Sequence, residues 1–590
     1  MSVYDYIVIG FFLVFMLSLG PVYKSFSKTA SDYFRGGGGM LWWVVGSSSF
    51  MTTFSAWSFT GGAARAYETG TFFMILFGCN ILALVFTYFF TAARFRQMRI
   101  VTAIDSIRKR YGNSNEQVFA WLPTFFKVAF GGIALYGIAV FIYGVFKIDM
   151  SIIIIGLGVT AVVITLVGGA WAATAGDFVQ MMIVLVITIL MAGLALWHED
   201  VGGPAGFISK IPDHHLDWTQ FDRWWIIIVF IVAQLMAQLF QMNSMHMGAA
   251  KYVFVKDGKD AKKSVLISIA GFLFLSPIWV IPAIAATMIF PDLSVDYPGL
   301  QNPNEAAYVA MAIDLLPAGL LGLMVCAIFA ASMTTLNTDL NVISGTLVRN
   351  FYIRVINKSA SERRQIFIGR MITLLVGVLW VGVGLFLAKQ DGLDLFYLTM
   401  IAAAVTGIPT SVPLFFGMFV KRTPSWSAWS TMASGFVVAI ALNGMVVGDI
   451  IHLTPEFITG LFNPEVPFSD REIGDLRLGL TNGVLAGFCT LWYFGTMFFY
   501  KKESPEYKKQ VDEFFVEMHT PIDNATESEN GSEGDKRQYG VLSNLCLIYG
   551  GATMLLLAVP NEFRDRMLIF ACGGVVAGVG YVLRRIGQKC

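Results

Sequence analysis

Roughly fifteen stretches of about 20 mostly apolar residues, each long enough to carry an α-helix across the hydrocarbon of a bilayer, recur along this chain. They fall near 4–22, 40–64, 71–93, 119–145, 149–168, 175–197, 224–246, 264–289, 317–345, 366–388, 395–420, 426–447, 479–500, 542–560 and 566–584. With 56% hydrophobic and only 14% charged residues among 590, too little polar surface is available for a soluble domain of this length. The expected fold class is an all-α polytopic membrane protein, because lipid forces each backbone N–H and C=O to pair within its own segment. Lys and Arg number 41 against 40 Asp and Glu, a balance that favours neither nucleic acid nor an acidic partner. The six cysteines stand singly, so no zinc site or disulfide framework is expected.

Basic residues gather after alternate stretches. Lys24, Lys28 and Arg35 follow the first; Arg94, Arg96, Arg99, Arg108, Lys109 and Arg110 the third; Lys251, Lys256, Lys259, Lys262 and Lys263 the seventh; Arg349, Arg354, Lys358, Arg363 and Arg364 the ninth. The intervening loops are acidic or neutral, which predicts an N-terminus outside and a cytoplasmic C-terminus. The first stretch has no basic leader and is expected to be a retained span. Segment 501–541, polar and rich in Ser, Glu, Asn and Gly, is expected to be a mobile cytoplasmic linker before two final spans. Its sequons at Asn524 and Asn530 would then carry no sugar.

Polarity inside the apolar stretches marks where function is expected. Between 40 and 70 stand Ser47, Ser48, Ser49, Thr52, Thr53, Ser55, Ser58 and Thr60, followed by Gly61 and Gly62. Irregular polar chain survives at membrane depth only where protein or a watery cavity satisfies it, so this stretch predicts a broken helix at a solute or ion site. The 317–345 stretch ends in Ser332, Thr334, Thr335, Asn337, Thr338 and Asp339, of which Ser332, Thr335 and Asp339 share one helical face. Back-bonded hydroxyls and close packing would explain them singly; their density beside Asp339 points to a lined pathway. Asp177 opens another span and is an intramembrane carboxylate. Gln234, Gln238 and Gln241 put three amides on one face, of which Gln234 and Gln238 are assigned to a cavity and Gln241, with Asn243 and His246, to its cytoplasmic mouth. Asn80, Thr406, Thr410 and Ser411 are weaker lining candidates. Trp57 either stacks on a substrate ring or fills the bundle. Lys127 is expected to snorkel to the interface, and Arg65 to be an exposed loop arginine paired with Glu68.

LWWVVGSS before the broken stretch, GGAWAATAGDFVQ, LLPAGLLGLMVCAIFAASMTTLNT and GMFVKRTPSWSAWSTMASG occur in an order that resembles the sodium:solute symporter family over roughly 1–440. The resemblance implies an inverted five-plus-five repeat core with one preceding helix and four following helices. It divides the chain into 1–39, a first repeat at 40–223, a second at 224–425, peripheral spans at 426–500, the linker at 501–541 and two spans at 542–590. It also implies a sodium ion between the first and eighth core helices, held by the carbonyls of Met51, Phe54 and Ile328 and by a hydroxyl pair that falls on Ala331 and Ser332. Ala331 departs from that pattern, since a methyl group offers a hard cation no oxygen. Asp177, Thr334 and Thr335 resemble a second sodium position of some members. The triplet Ser55, Ala56, Trp57 looks like the proline-transporting branch, whereas polar groups of the sugar branch fall on Ser58, Phe77, Phe240 and Met400.

The function so implied is secondary active symport of a small organic solute, an amino acid or carboxylate, with Na+ as coupling ion. The substrate-lining set is Ser55, Trp57, Ser58, Gln234, Gln238, Asn80 and Thr406. Expected partners are the solute, sodium and the lipid bilayer; the expected location is the plasma membrane, or the inner membrane if the source is prokaryotic. Proton coupling, sodium-independent transport, a sugar or polyol substrate, and a transporter-like sensor are the alternatives. No nucleophile–base pair, metal motif or phosphate loop suggests an enzyme.

Overall fold

Each apolar stretch forms helix in the computed structural model, which describes residues 2–23, 38–216, 223–300, 302–390, 394–443, 453–522 and 532–589. Lys24, Lys28, Arg35, Asn524 and Asn530 lie outside the described residues. Among those described, the only strand-like feature is an isolated bridge between Met40 and Val255.

The helices that matter below are α1 (Val3–Tyr23), α2 (Trp42–Thr53), α3 (Gly61–Thr69), α4 (Met74–Phe90), α5 (Ala103–Tyr111), α6 (Asn113–Phe146), α7 (Met150–Leu196), α8 (Trp224–Met242), α9 (Gly258–Ala270), α10 (Ser276–Ile289) and α11 (Leu320–Thr346). They continue with α12 (Glu362–Leu387), α13 (Leu395–Gly417), α14 (Ser427–Leu442), α15 (Asp470–Gly495), α16 (Pro505–His519), α17 (Ser532–Leu555) and α18 (Phe563–Gly587). Eleven helical runs among the described residues are long and apolar enough to cross a bilayer, and three shorter apolar helices accompany them.

The 40–64 stretch is broken, as its polarity requires, into α2, a turn at Ala56–Phe59 and α3. Two other expected spans, 149–168 and 175–197, are the arms of one helical run, α7. Thr165 and Gln180 would stand about 22 Å apart on a straight helix, yet both reach α11 within one turn, Thr165 at Asn337 (2.7 Å) and Gln180 at Thr334 (2.7 Å). The run therefore bends sharply between them.

The central element is α11, buried over nearly its whole length. Small residues let its neighbours approach, and the tightest approach is at Gly322, where a Cβ would lie 2.6 Å from the Asp5 carbonyl oxygen. That proximity is used: Asp5 Oδ1 on α1 accepts from the N–H groups of Gly319 (2.8 Å) and Gly322 (2.9 Å), satisfying orphan donors at the start of α11. At the other end of the chain, α17 lays Tyr549 against Phe12 and Phe15 of α1. Gln538 accepts from Leu41 N–H (3.1 Å) and donates to Gly39 O (3.0 Å), fixing the entry into α2.

Segment 501–541 is not a linker throughout. Over Pro505–His519 it is helical, capped by Ser504, which accepts from Tyr507 N–H at 3.2 Å. Its apolar face, Tyr507, Val511, Phe514, Phe515 and Met518, is buried on the end of the molecule that carries the basic loops. Arg110 of α5 donates to Tyr507 Oη (2.9 Å), which donates to Thr423 O (3.0 Å), and Lys109 pairs with Glu517 at 2.7 Å. Polar composition hid an amphipathic period here, because one apolar stripe is enough when the opposite face is solvated.

Asp5→Ala should cost about 1–2 kcal/mol, read as a lower Tm of the purified protein, while Asp5→Asn, which keeps an acceptor, should retain most of the stability. An unchanged Tm for the alanine variant would show that the cap is not needed.

Candidate functional site

The last rung of α2 runs from Phe54 N–H to Phe50 O at 3.1 Å, and Phe54 itself turns extended at φ −106°, ψ 97°. The carbonyls beyond that rung are released from the helix. Gly61 restarts the chain where a Cβ would meet the backbone nitrogen of Phe396 at 2.9 Å, so only glycine lets α3 lie this close to the start of α13. Trp57, in the turn, stacks on Phe396 with ring centroids 5.8 Å apart.

From this break a cavity of about 1140 Å³, open mouth included, extends toward the basic-loop end. Ser55, Trp57, Ser58, Asn80, Gln238 and Thr406 line it, together with Thr335, Gln241, Met400 and Phe77. Gln234 stands beside it in a smaller void of about 270 Å³ shared with Gln238 and Asn482. Phe240 is not among the lining residues and packs on Phe415 and Phe416. Trp57 Nε1, Asn80 Oδ1 and Gln234 Nε2 are buried without a hydrogen-bond partner. Buried polar atoms are rarely left so, and two of them on one wall with a third in the adjoining void suit a site that a polar solute completes.

The acidic-loop side of the cavity is roofed. Arg65, expected to be exposed, is buried; its guanidinium bonds Asp475 of α15, with Glu68 farther off at 3.9 Å, and lies 5.3 Å over Phe396 and 5.5 Å over Tyr397. Glu305 accepts from Leu395 N–H at 3.0 Å and caps α13; burial pushes its carboxyl up to about 8.

At the basic-loop mouth, Lys127 does not snorkel. Its ammonium donates to Asp339 Oδ2 at 3.0 Å and Oδ1 at 3.2 Å, and His246 Nδ1 lies 3.0 Å from the same carboxylate. Desolvating a carboxylate costs so much that a lysine within reach is drawn inward rather than outward.

The expected ion ligands divide into two places. Thr335 Oγ1 donates to Thr52 O at 3.2 Å, which sets α11 against α2 just before the break. Asp177 lies by Ser48, one turn before Thr52 on α2. Ser48 donates to its carboxylate, Thr334 lies near it while donating to Gln180 Oε1, and Lys251 Nζ stands 3.7 Å away. Thr335 thus bonds the end of α2, one turn on from the Ser48 that donates to Asp177. Ser48, Gln180 and Lys251 were missed as members. For Lys251 a signal existed: Tyr252, Val253, Phe254 and Val255 separate it from the charges that follow, unlike a residue in a solvated basic loop.

A bundle of bilayer-length helices with a broken helix at a polar cavity is the architecture of a membrane solute carrier, not of an enzyme. The model of the sodium:solute symporter family matches residues 33–435. The chain is 24% identical over 450 residues to the sodium/sialic acid symporter SiaT of Proteus mirabilis (strain HI4320), covering 74% of this chain and 88% of the relative. It is 26% identical over 499 residues to the sodium/myo-inositol cotransporter 2 of Homo sapiens, covering 76% and 71%. The solved substrate-bound outward-open state of a Na+-coupled sialic acid symporter matches its fold with a TM-score of 0.62 at 20% identity, over 82% of this chain and 98% of that one. The chain belongs to the sodium:solute symporter family. It is a multi-pass membrane transporter for a small solute, with sodium as its family's coupling ion.

Two expectations follow. Glu305, raised to about 8 from an unfolded value of 4.5, contributes no penalty below about pH 4.5 and an increasing one as pH rises toward 8. Tm should therefore fall between pH 6 and pH 9, and Glu305→Gln should flatten that fall; an equally steep profile would reject it. Lys127→Met or Asp339→Leu alone should lose up to about 3 kcal/mol through an uncompensated charge, and the double variant less than the sum, as read from Tm values in one detergent.

Proposed function

We propose that the chain carries a small organic acid inward across the plasma membrane with sodium, by alternating access. The observation that carries this reading is the cavity at the helix break, with Ser55, Trp57, Ser58, Asn80, Gln238 and Thr406 on its wall and Lys127 and His246, both paired with Asp339, at its mouth. Hydroxyl and amide groups suit the polar body of the solute, and Trp57 a planar or ring face. Phe77 and Met400 on the same wall reduce the hydrogen bonds available to a hexose or polyol. Two of the relatives are symporters of a sialic acid, which agrees with an acidic solute; the inositol cotransporters supply the polyol reading that the same experiment tests.

In this reading sodium binds at the break, using carbonyls of Met51, Phe54 and Ile328 with Ser332, and Thr335 stands next along the same face. Segments 40–223 and 224–425 act as the inverted repeats that move about this point, and the basic-loop end faces the cytoplasm. Ion and solute favour the same closed state, and that shared preference is the coupling.

A thermal-shift screen of amino acids, carboxylates, sugars and polyols, with and without sodium, should yield a ligand whose stabilisation needs sodium. Uptake of that ligand into proteoliposomes should rise with an inward sodium gradient; equal uptake in sodium-free buffer would remove the reading. Ser332→Ala should raise the half-saturating sodium concentration about tenfold, the equivalent of one lost oxygen ligand, and Ala331→Ser should lower it.

A further inference from the structure

The Asp177 carboxylate already has a cation. Lys251 Nζ donates to Ser48 Oγ at 2.7 Å and to Thr338 Oγ1 at 3.0 Å, stands 3.7 Å from Asp177 Oδ2, and is 3% exposed against 2% for Asp177. Its backbone is set among the buried Ala249, Tyr252 and Val253. The amine is not shared with the neighbouring carboxylate, since Asp339 has Lys127 and His246 on it. Each buried acid between α2, α7 and α11 therefore has its own base.

We propose that Lys251 is a tethered cation that takes the place of a second sodium ion at Asp177, so that this chain carries one sodium per cycle, bound at the helix break. This rests on the sodium-symport reading above. A sodium ion ligated by Asp177 would sit about 4 Å from the ammonium, and two like charges that close in a partly buried setting cost roughly three decades in affinity. The remaining oxygens do not compensate: Ser48 donates to Asp177 and accepts from Lys251, Thr338 accepts from Lys251, and Thr334 donates to Gln180. A second cavity, about 570 Å³ with its open mouth, is lined by Thr174, Lys251 and Thr338 and by Val101 to Ala103 of the basic-loop end. It gives an external ion a way to Asp177 once the amine is removed.

The test counts ions on the purified full chain by equilibrium binding of radioactive sodium. The parent should saturate at one sodium per chain. Lys251→Met, checked as monodisperse, should saturate at two, and Lys251→Arg, which keeps the charge, at one. Two ions on the parent, one on the methionine variant or two on the arginine variant would each overturn the inference. A parent that binds none overturns the symport reading itself, an outcome distinct from a parent that binds two. Should the methionine variant fail to fold, the parent and arginine counts still decide.

Discussion

Backbone that leaves a helix inside hydrocarbon must find partners, and the arrangement around residues 54–60 follows from that demand. The released carbonyls of α2 face α11, where Thr335 already bonds Thr52 O, and the restart at Gly61 is pressed against the start of α13. The same physics that would make the break a defect in a lipid-facing helix makes it tolerable at a cavity between α4, α8, α11 and α13.

The buried charges obey a stricter form of this rule. Lone carboxylates at this depth are too costly to keep, so Asp177 and Asp339 hold Lys251 and Lys127 respectively, and Arg65 holds Asp475 near the acidic-loop end. Such pairs need not add net stability, but each fixes the distance between two elements. Lys127 joins α6 to α11, Lys251 joins the turn after α8 to α2 and α7, and Arg65 joins α3 to α15. Moving those elements apart requires an exchange of partners, which is what a transported ion or anion can supply.

Much of this was legible in the sequence because bilayer length and hydroxyl density are local signals. The break at 54–60 and the cavity wall of Ser55, Trp57, Ser58, Asn80, Gln238 and Thr406 could be read from single segments. What could not be read is pairing across segments. Lys127 and Arg65 carry no local mark of the carboxylate that draws each one inward, so general rules assigned them to the interface and to a loop. The bend of α7 was hidden for the same reason: the sequence between its arms reads as a turn, and only contacts of Thr165 and Gln180 with α11 show a continuous helix folded over. In 505–519 the error ran the other way, a charged average masking a stripe of Tyr507, Val511, Phe514 and Met518.

The two ends of the cavity are built from different materials, and this decides which is easier to open. Toward the acidic loops the closure is dry: Trp57 on Phe396, Phe54 and Phe59 beside Trp279 and Tyr308, with Arg65 laid over the aromatic rings. Parting that roof exposes apolar faces and strands a guanidinium. Toward the basic loops the wall is Gln241, Ser244, His246, Lys127 and Asp339, groups that water solvates well. Opening there exchanges protein partners for water, whereas parting the roof does not.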